Sequence, residues 1–395
     1  MRILFGVPYI PRPEMSGTLR EYFFLAGLAR RHTVRLVVGT RDESFWTPAD
    51  VERVRPQVES VHVHQLEPPR RGALTRVANV VLGGLSSRVP PWWIDPRFQQ
   101  SLRDHIAEFR PDVVFSDGPV AVHCHTLTEV PVVVDFCDAL SLQVTAQRHG
   151  AFGYVRRRAS LRSREAFIGH FAPLMTAISE RDADAINVPR ERLVVVPNGV
   201  DLEHYVPRQG PYDAHAVVFV GSLDYKPNVD AARYLAEEIW PLIRREDPAA
   251  TLFLVGRTPV PSVVALHGRD GITVTGTVED VRPYVWGSAV SVAPLRFASG
   301  LQNKVLQALA MAVPVVMTPA ANGGMGASEA DGVLVREGPA AIAAATLELM
   351  RDPERRSALG ERGRRYVVEH FRWEREVAKL EQVLERAIAT RRTGA

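Results

Sequence analysis

The chain has 395 residues, 46% hydrophobic and 24% charged, with a formal net charge of +3. That length exceeds one ordinary core and fits two domains of similar size, and the composition excludes a disordered or fibrous chain. The small net charge gives no footing for a nucleic-acid partner.

In chain order, short apolar strands alternate with amphipathic helices, the pattern of parallel sheets built from crossover units. A first series of strands is expected at 3–7, 33–38, 60–65, 113–116, 130–135, 174–178 and 193–196. The turn Pro197-Asn198-Gly199-Val200-Asp201 closes it, and the polar stretch 204–215 reads as a linker. A second series follows at 216–220, 251–255, 272–275, 290–293, 313–317 and 332–335, and the stretch from Ala340 to Arg392 reads as helical throughout. The expectation is α/β: two doubly wound Rossmann-like domains, 1–203 and 216–372, with a last helix over 373–395 crossing back to the first. Two such domains leave a central cleft, and ligands sit outside the carboxyl ends of the strands. Cys124 and Cys137 are too few for a disulfide framework and read as small buried hydrophobes of a reducing compartment. With no secretory signal and no apolar run of membrane-spanning length, a cytoplasmic protein is expected.

The most informative segment is 294–319, PLRFASGLQNKVLQALAMAVPVVMTP, a glycine-marked polar loop running into an apolar helix and a β-branched strand. Lys304 falls in the first turn of that helix, where free N–H groups and the helix dipole already favour an anion. Against 45 arginines the chain has only three lysines, Lys226, Lys304 and Lys379, so lysine is not its default base. Gly300, Leu301, Gln302 and Asn303 lead into the helix, and Gln307 lies one turn further. Lys304 and Gln307 can divide a diphosphate and a ribose hydroxyl between them; the alternative makes Gln302 and Asn303 caps and Gln307 a neutral helix residue.

The first strand of the second series ends in Gly221-Ser222-Leu223-Asp224-Tyr225-Lys226-Pro227-Asn228. A helix is expected from about Val229, capped by Asn228, with Lys226 in the loop either reaching a diphosphate or simply solvated. Gly221 stands alone, so this is not a dinucleotide fingerprint. Val255-Gly256-Arg257, and Gly276-Thr277-Val278 with Tyr284, suit a pocket for a base, although Arg257 also fits an exposed loop.

In the first domain, Ser16-Gly17 ends a long loop after the first strand and can offer backbone N–H groups to an anion. Asp117 follows one strand, and Asp135 and Asp138 follow another. A carboxylate there can bind an acceptor hydroxyl or take its proton, Asp138 being the first choice and Asp117 the second, with helix capping an equal alternative. The helical run RRRASLRSR at 156–164 reads as a solvated face, with an anionic acceptor or lipid surface as the alternative. The stretch 77–85 and the Pro90-Pro91-Trp92-Trp93 cluster are candidates for an acceptor-binding lip, or for buried packing.

VVVPNGVDLEHY at 194–205, VVFVGSLDYKPNVDAARYL at 217–235, LFLVGRTP at 252–259 and GLQNKVLQALAMAVPVV from Gly300 together resemble retaining glycosyltransferases of the two-domain GT-B type, in the large group called family four. The phrase G-x-x-N-K-V-L is most similar to a bacterial subgroup of sugar transferases associated with exopolysaccharide clusters. In that family two glutamates flanking seven residues mark the donor site; here the matching places hold Ser299 and Gln307. The family's arginine after the strand glycine is replaced by Ser222, while its lysine is retained as Lys226.

The resemblance implies transfer of a sugar, with retention of configuration, from a nucleoside diphosphate to a hydroxyl of a sugar-containing or lipid-linked acceptor. It implies Lys226 and Lys304 at the diphosphate and no required metal. Exopolysaccharide, cell-surface glycan and secondary-metabolite synthesis all fit, as does peripheral contact with the inner face of a membrane. Two other readings stand beside it: a sugar-nucleotide epimerase on the same plan, and a weakened nucleotide-sugar-binding partner, motivated by Ser299 and Gln307. The acceptor, the donor base and the oligomeric state are not legible.

Overall fold

The structure is a computed structural model and describes residues 1–15, 17–41, 46–67, 94–143, 146–207 and 210–392. Its first sheet has the order β3-β2-β1-β4-β5-β6-β7. These strands are β1 (Arg2–Val7), β2 (Thr33–Thr40), β3 (Ser60–Gln65), β4 (Val113–Asp117), β5 (Val132–Cys137), β6 (Leu174–Ala177) and β7 (Leu193–Val195). The second has the order β10-β9-β8-β11-β12-β13. It contains β8 (Asp213–Val220), β9 (Thr251–Val255), β10 (Ile272–Gly276), β11 (Ser288–Ala293), β12 (Val315–Met317) and β13 (Val333–Val335). Every pairing within both sheets is parallel. Each expected strand is present, and the central ones are covered on both faces: Ile3, Leu4 and Phe5 in β1, and Val217, Val218 and Phe219 in β8, are completely enclosed. Double-sided burial is why they read as continuous apolar runs rather than as alternation.

The chain divides into two compact units, Met1–Pro197 with Trp373–Ala395, and Asn198–Arg372. The division at Pro197 precedes the expected one at 203, because residues 204–206 are tied into the second unit. Arg282 Nη1 donates to His204 O at 3.0 Å, Trp286 Nε1 to Val206 O at 3.2 Å and Arg364 Nη1 to Tyr205 O at 3.3 Å. Strand β8 also begins inside the stretch read as linker.

Continuous helix from Ala340 to Arg392 is not found; three helices, Pro339–Arg351, Pro353–His370 and Trp373–Arg392, take its place. The first break is at Asp352, which caps Arg355 N at 2.9 Å just ahead of Pro353, a residue suited to a helix start and not to an interior. The last helix lies against Leu19–Ala29 within the first unit. Trp373 stacks on Phe23 with centroids 4.6 Å apart, and a Cβ on Gly27 would stand 2.6 Å from Val377 Cγ2. The run 156–164 lies in the helix Ala146–Phe171, with Arg156, Arg157, Arg158 and Arg162 exposed and Arg164 half-buried. Cys124 is buried as expected, but Cys137 is half-buried, with a φ of 54° at the end of β5. The stretches 77–85 and 90–93 lie outside the described residues.

Candidate functional site

The order of the second sheet reverses between β8 and β11, which pair directly. The loops leaving their carboxyl ends, 221–225 and 294–302, are therefore neighbours at the switch point where doubly wound folds bind ligands. The helix Asn303–Ala310 starts from the second of these loops, burying Val305, Leu306, Ala308, Leu309 and Ala310 and leaving Lys304 and Gln307 half-buried.

Lys304 sits in that first turn with its Nζ 4.9 Å from the centroid of the Phe219 ring. Asn228 Oδ1 accepts a hydrogen bond from the ammonium, and Asn228 Nδ2 donates to Ser222 O at 3.1 Å. Asn228 thus links Lys304 to the loop after β8. Loss of hydration pushes the Lys304 ammonium down from its ordinary range to about 7, and no opposing charge holds it up. Among the described residues no carboxylate forms an ion pair with it. A partly desolvated cation at a helix N-terminus, hydrogen-bonded to a neutral amide, has the chemistry to meet an anion.

The surrounding loops are tightly fitted. A Cβ on Gly221 would stand 2.8 Å from the Asn228 side chain, and one on Gly256 would stand 1.7 Å from Gly221 O. Gly300 has a φ of 63°, and its carbonyl packs where Gly324 has no side chain, 2.2 Å from an added Cβ. Arg296 ties its own loop to the helix Lys226–Tyr234 by donating from Nε to Asp230 Oδ2 at 2.9 Å.

Some expected roles change. The helix after β8 begins at Lys226 rather than near Val229, with Pro227 in its first turn, and Tyr225 is the flanking residue. Asn228 is therefore no cap; it is the partner of Lys304. Lys226 is exposed, as the first helical residue rather than a loop residue, two positions before Asn228. Gln302 flanks the helix without a capping bond, its Nε2 donating instead to Ser299 O at 3.1 Å. Asn303 is inside the helix, where its Oδ1 accepts from Asn198 Nδ2 at 3.0 Å. Leu301 and Ser299 are buried, so Leu301 belongs to the core. Arg257 is exposed and donates from Nε to Ser222 Oγ at 2.9 Å, and that hydroxyl donates to Asp224 Oδ1 at 2.8 Å. Gly276, with a φ of 69°, ends β10, and Tyr284 packs on Phe253.

In the first unit, Asp135 is a structural residue and not a free strand-end carboxylate. It is fully buried, receives Arg20 Nε at 2.7 Å and Nη2 at 3.0 Å, and accepts Thr176 Oγ1 at 2.7 Å. Arg20 Nη1 also donates to Val196 O at 2.6 Å. Asp138 is half-buried just past β5, with Cys137 Sγ 3.7 Å from its Oδ1. Asp117, at the end of β4, and Glu21, in the first turn of Leu19–Ala29, are both pushed up, by burial first and then by neighbouring carboxylates: Asp135 for Asp117, and Asp117 for Glu21. Sequence reading missed Glu21, although a lone acid at the start of an apolar helix is a visible signal. Gly17 is exposed with open space around its Cα, and Ser16 lies outside the described residues. Among the described residues, no group of three or more His, Cys, Asp or Glu side chains is arranged to hold a metal ion, and no helix is long and apolar enough to cross a membrane.

Comparison with known proteins bears on both units. Residues 22–204 match the family model described as Glycosyltransferase Family 4, and residues 214–352 match Glycosyl transferases group 1. No curated protein matches the chain in sequence. Among solved structures, sucrose-phosphate synthase from Thermosynechococcus elongatus is 15% identical with a TM-score of 0.71, covering 99% of this chain and 100% of that one. Anabaena HepE in complex with UDP and glucose is 14% identical with a TM-score of 0.68, covering 98% and 99%. A glycosyltransferase from Rickettsia africae is 10% identical with a TM-score of 0.66, covering 98% of each chain. Those structures share the fold, and the two family models share the sequence pattern along most of the length. The chain belongs to the GT-B glycosyltransferases of the family-four type.

Proposed function

We propose that the protein transfers a sugar from a nucleoside diphosphate to an acceptor hydroxyl with retention of configuration, and that the diphosphate binds at Lys304. The observation that carries this reading is the half-buried, desolvated ammonium of Lys304 at a helix start beside the switch point, with Asn228 as its hydrogen-bond acceptor. HepE, a structural neighbour, binds UDP and glucose, and a uridine diphosphate is the first donor class to try. In the reaction the anomeric carbon's bond to the phosphate oxygen breaks, and a bond to the acceptor oxygen forms. Negative charge grows on the departing diphosphate, where Lys304, the helix N-terminus and Lys226 supply positive potential instead of a bound metal ion. Gln307, one turn along and half-buried, is proposed to hydrogen-bond a ribose hydroxyl. Asp138, past the end of β5, is proposed to orient the acceptor hydroxyl or take its proton.

The acceptor in this reading is a sugar-containing or lipid-linked hydroxyl compound reached from the cytoplasm, within surface-glycan, exopolysaccharide or secondary-metabolite synthesis. The exposed Arg156, Arg157 and Arg158 support contact with an anionic membrane face. Sedimentation with anionic but not with neutral vesicles tests that contact; equal recovery in both supernatants excludes it.

The test of the function is release of nucleoside diphosphate from a panel of UDP-, GDP- and ADP-sugars, followed by mass analysis of any glycosylated acceptor. Turnover of one donor class is expected, and binding without turnover of any would favour a catalytically silent partner protein. Gln307→Glu is expected to tighten the active donor about 3- to 10-fold, because a carboxylate forms a stronger, charge-assisted bond to a hydroxyl. Equal or weaker affinity by titration calorimetry would remove Gln307 from the ribose.

A further inference from the structure

Besides Phe219 and Asn228, the placement of Lys304 depends on how the first turn of its helix is held. That helix is only eight residues long, and Gln302 provides no side-chain cap. The fastening comes from 105 positions earlier in the chain, where Asn198 Nδ2 donates to Asn303 Oδ1 at 3.0 Å. Asn198 is 3% exposed and is the first residue of the second unit. Its own segment is anchored in turn, since Val200 N donates to Phe371 O at 2.8 Å, just past the helix Pro353–His370. That same helix grips the far end of Asn303–Ala310. Arg364 Nη1 donates to Ala310 O, and Gly360 lies so close that a Cβ would stand 2.1 Å from Ala312 O. Residues 198–200 and the helix Pro353–His370 therefore hold the lysine-bearing helix at both ends.

We infer that Asn198 is a positioning residue for the donor diphosphate, acting through Asn303 to fix the turn that aims Lys304. This rests on the donor reading given above. A shift of about 1 Å in an oriented charged group is enough to weaken what it binds. Removing the Asn198 amide leaves the Asn303 carbonyl without its donor and lets the first turn relax. The loss is expected on the phosphates and not on the nucleoside, because the hydrogen bond removed is the one to the turn that carries Lys304.

The test titrates UDP, GDP and ADP, and then the nucleoside matching whichever binds, into wild type, Asn198→Ala, Asn303→Ala and the double variant. Asn198→Ala is expected to weaken the diphosphate about 5- to 20-fold, as loss of one buried hydrogen bond allows. Affinity for the nucleoside should stay within about 2-fold, since no contact to it is removed. The double variant should bind no more weakly than Asn303→Ala alone, because one residue acts through the other. Should Asn198→Ala not fold, Asn303→Ala carries the same comparison of diphosphate with nucleoside. Unchanged diphosphate binding, equal weakening of both ligands, or losses that multiply in the double variant would each overturn the inference while leaving the donor reading intact. Failure of wild type to bind any of the three diphosphates would overturn the donor reading itself, and this inference with it.

Discussion

Lys304→Met is expected to lower kcat/KM for the active nucleotide sugar by about 10²- to 10³-fold, the usual effect of removing one preorganised group that meets developing charge. Methionine keeps most of the unbranched stem and removes the ammonium that sits over Phe219, so the loss reads out charge more than packing. The same substitution should leave the thermal midpoint unchanged or raise it. A desolvated ammonium without a carboxylate partner costs folding free energy, and removing it relieves that cost. The hydrogen bond to Asn228 lost with it works in the opposite direction, by about 1 kcal/mol. Lys304→Arg should recover little activity, because a planar guanidinium does not occupy the place of a compact ammonium between an aromatic face and one amide oxygen. Assay of donor turnover beside a thermal melt checks all of this. Full activity in Lys304→Met would mean that the diphosphate goes elsewhere.

Diphosphate affinity should fall as pH rises above 7, by up to tenfold per unit. In the protein alone the ammonium is pushed down to about 7 by loss of hydration, so the charged form dominates below that pH and the neutral amine above it. The bound anion favours the charged form and pulls the group back up. Between about 7 and its value in the complex, each binding event must therefore take up a proton. A nucleoside diphosphate has completed its own last ionisation near pH 6, so it adds little to the effect above 7. Calorimetric titration at pH 8 in two buffers of different ionisation enthalpy reads the uptake directly, and Lys304→Met should abolish it. The sign for folding is consistent with this. The unfolded lysine keeps its proton up to about 10.5 while the folded one has lost it, so this group opposes folding most below pH 7 and its penalty shrinks steadily between 7 and 10.5. Constant affinity from pH 7 to 9, with no dependence on buffer, would show that Lys304 stays charged before the diphosphate binds.

The central strands were legible because they are buried on both faces, which leaves runs such as 216–220 and 313–317 with no competing periodicity. Lys304 was legible for two local reasons, the scarcity of lysine and its place in a helix start. The start of the helix at Lys226 was also within reach, because Pro227 is the kind of residue that opens helices; reading Asn228 as a cap displaced the boundary by three residues. What stayed hidden is pairing over distance. Asp135 has the profile of a strand-end ligand until Arg20, 115 positions away, is seen to hold it with two hydrogen bonds. Asn228 meets Lys304 across 76 positions, and Asn198 meets Asn303 across 105. A sequence shows that a polar residue lies near a turn, but parallel crossovers decide which remote residue it faces, and they bring the ends of β8 and β11 together without any local signal.

The measurement that bears most directly on the central claim is a crystal structure of the protein with the nucleoside diphosphate released in turnover. The account predicts a phosphate oxygen within hydrogen-bond distance of Lys304 Nζ, at the start of the helix Asn303–Ala310. A diphosphate bound away from that helix, with Lys304 still hydrogen-bonded only to Asn228, would contradict it.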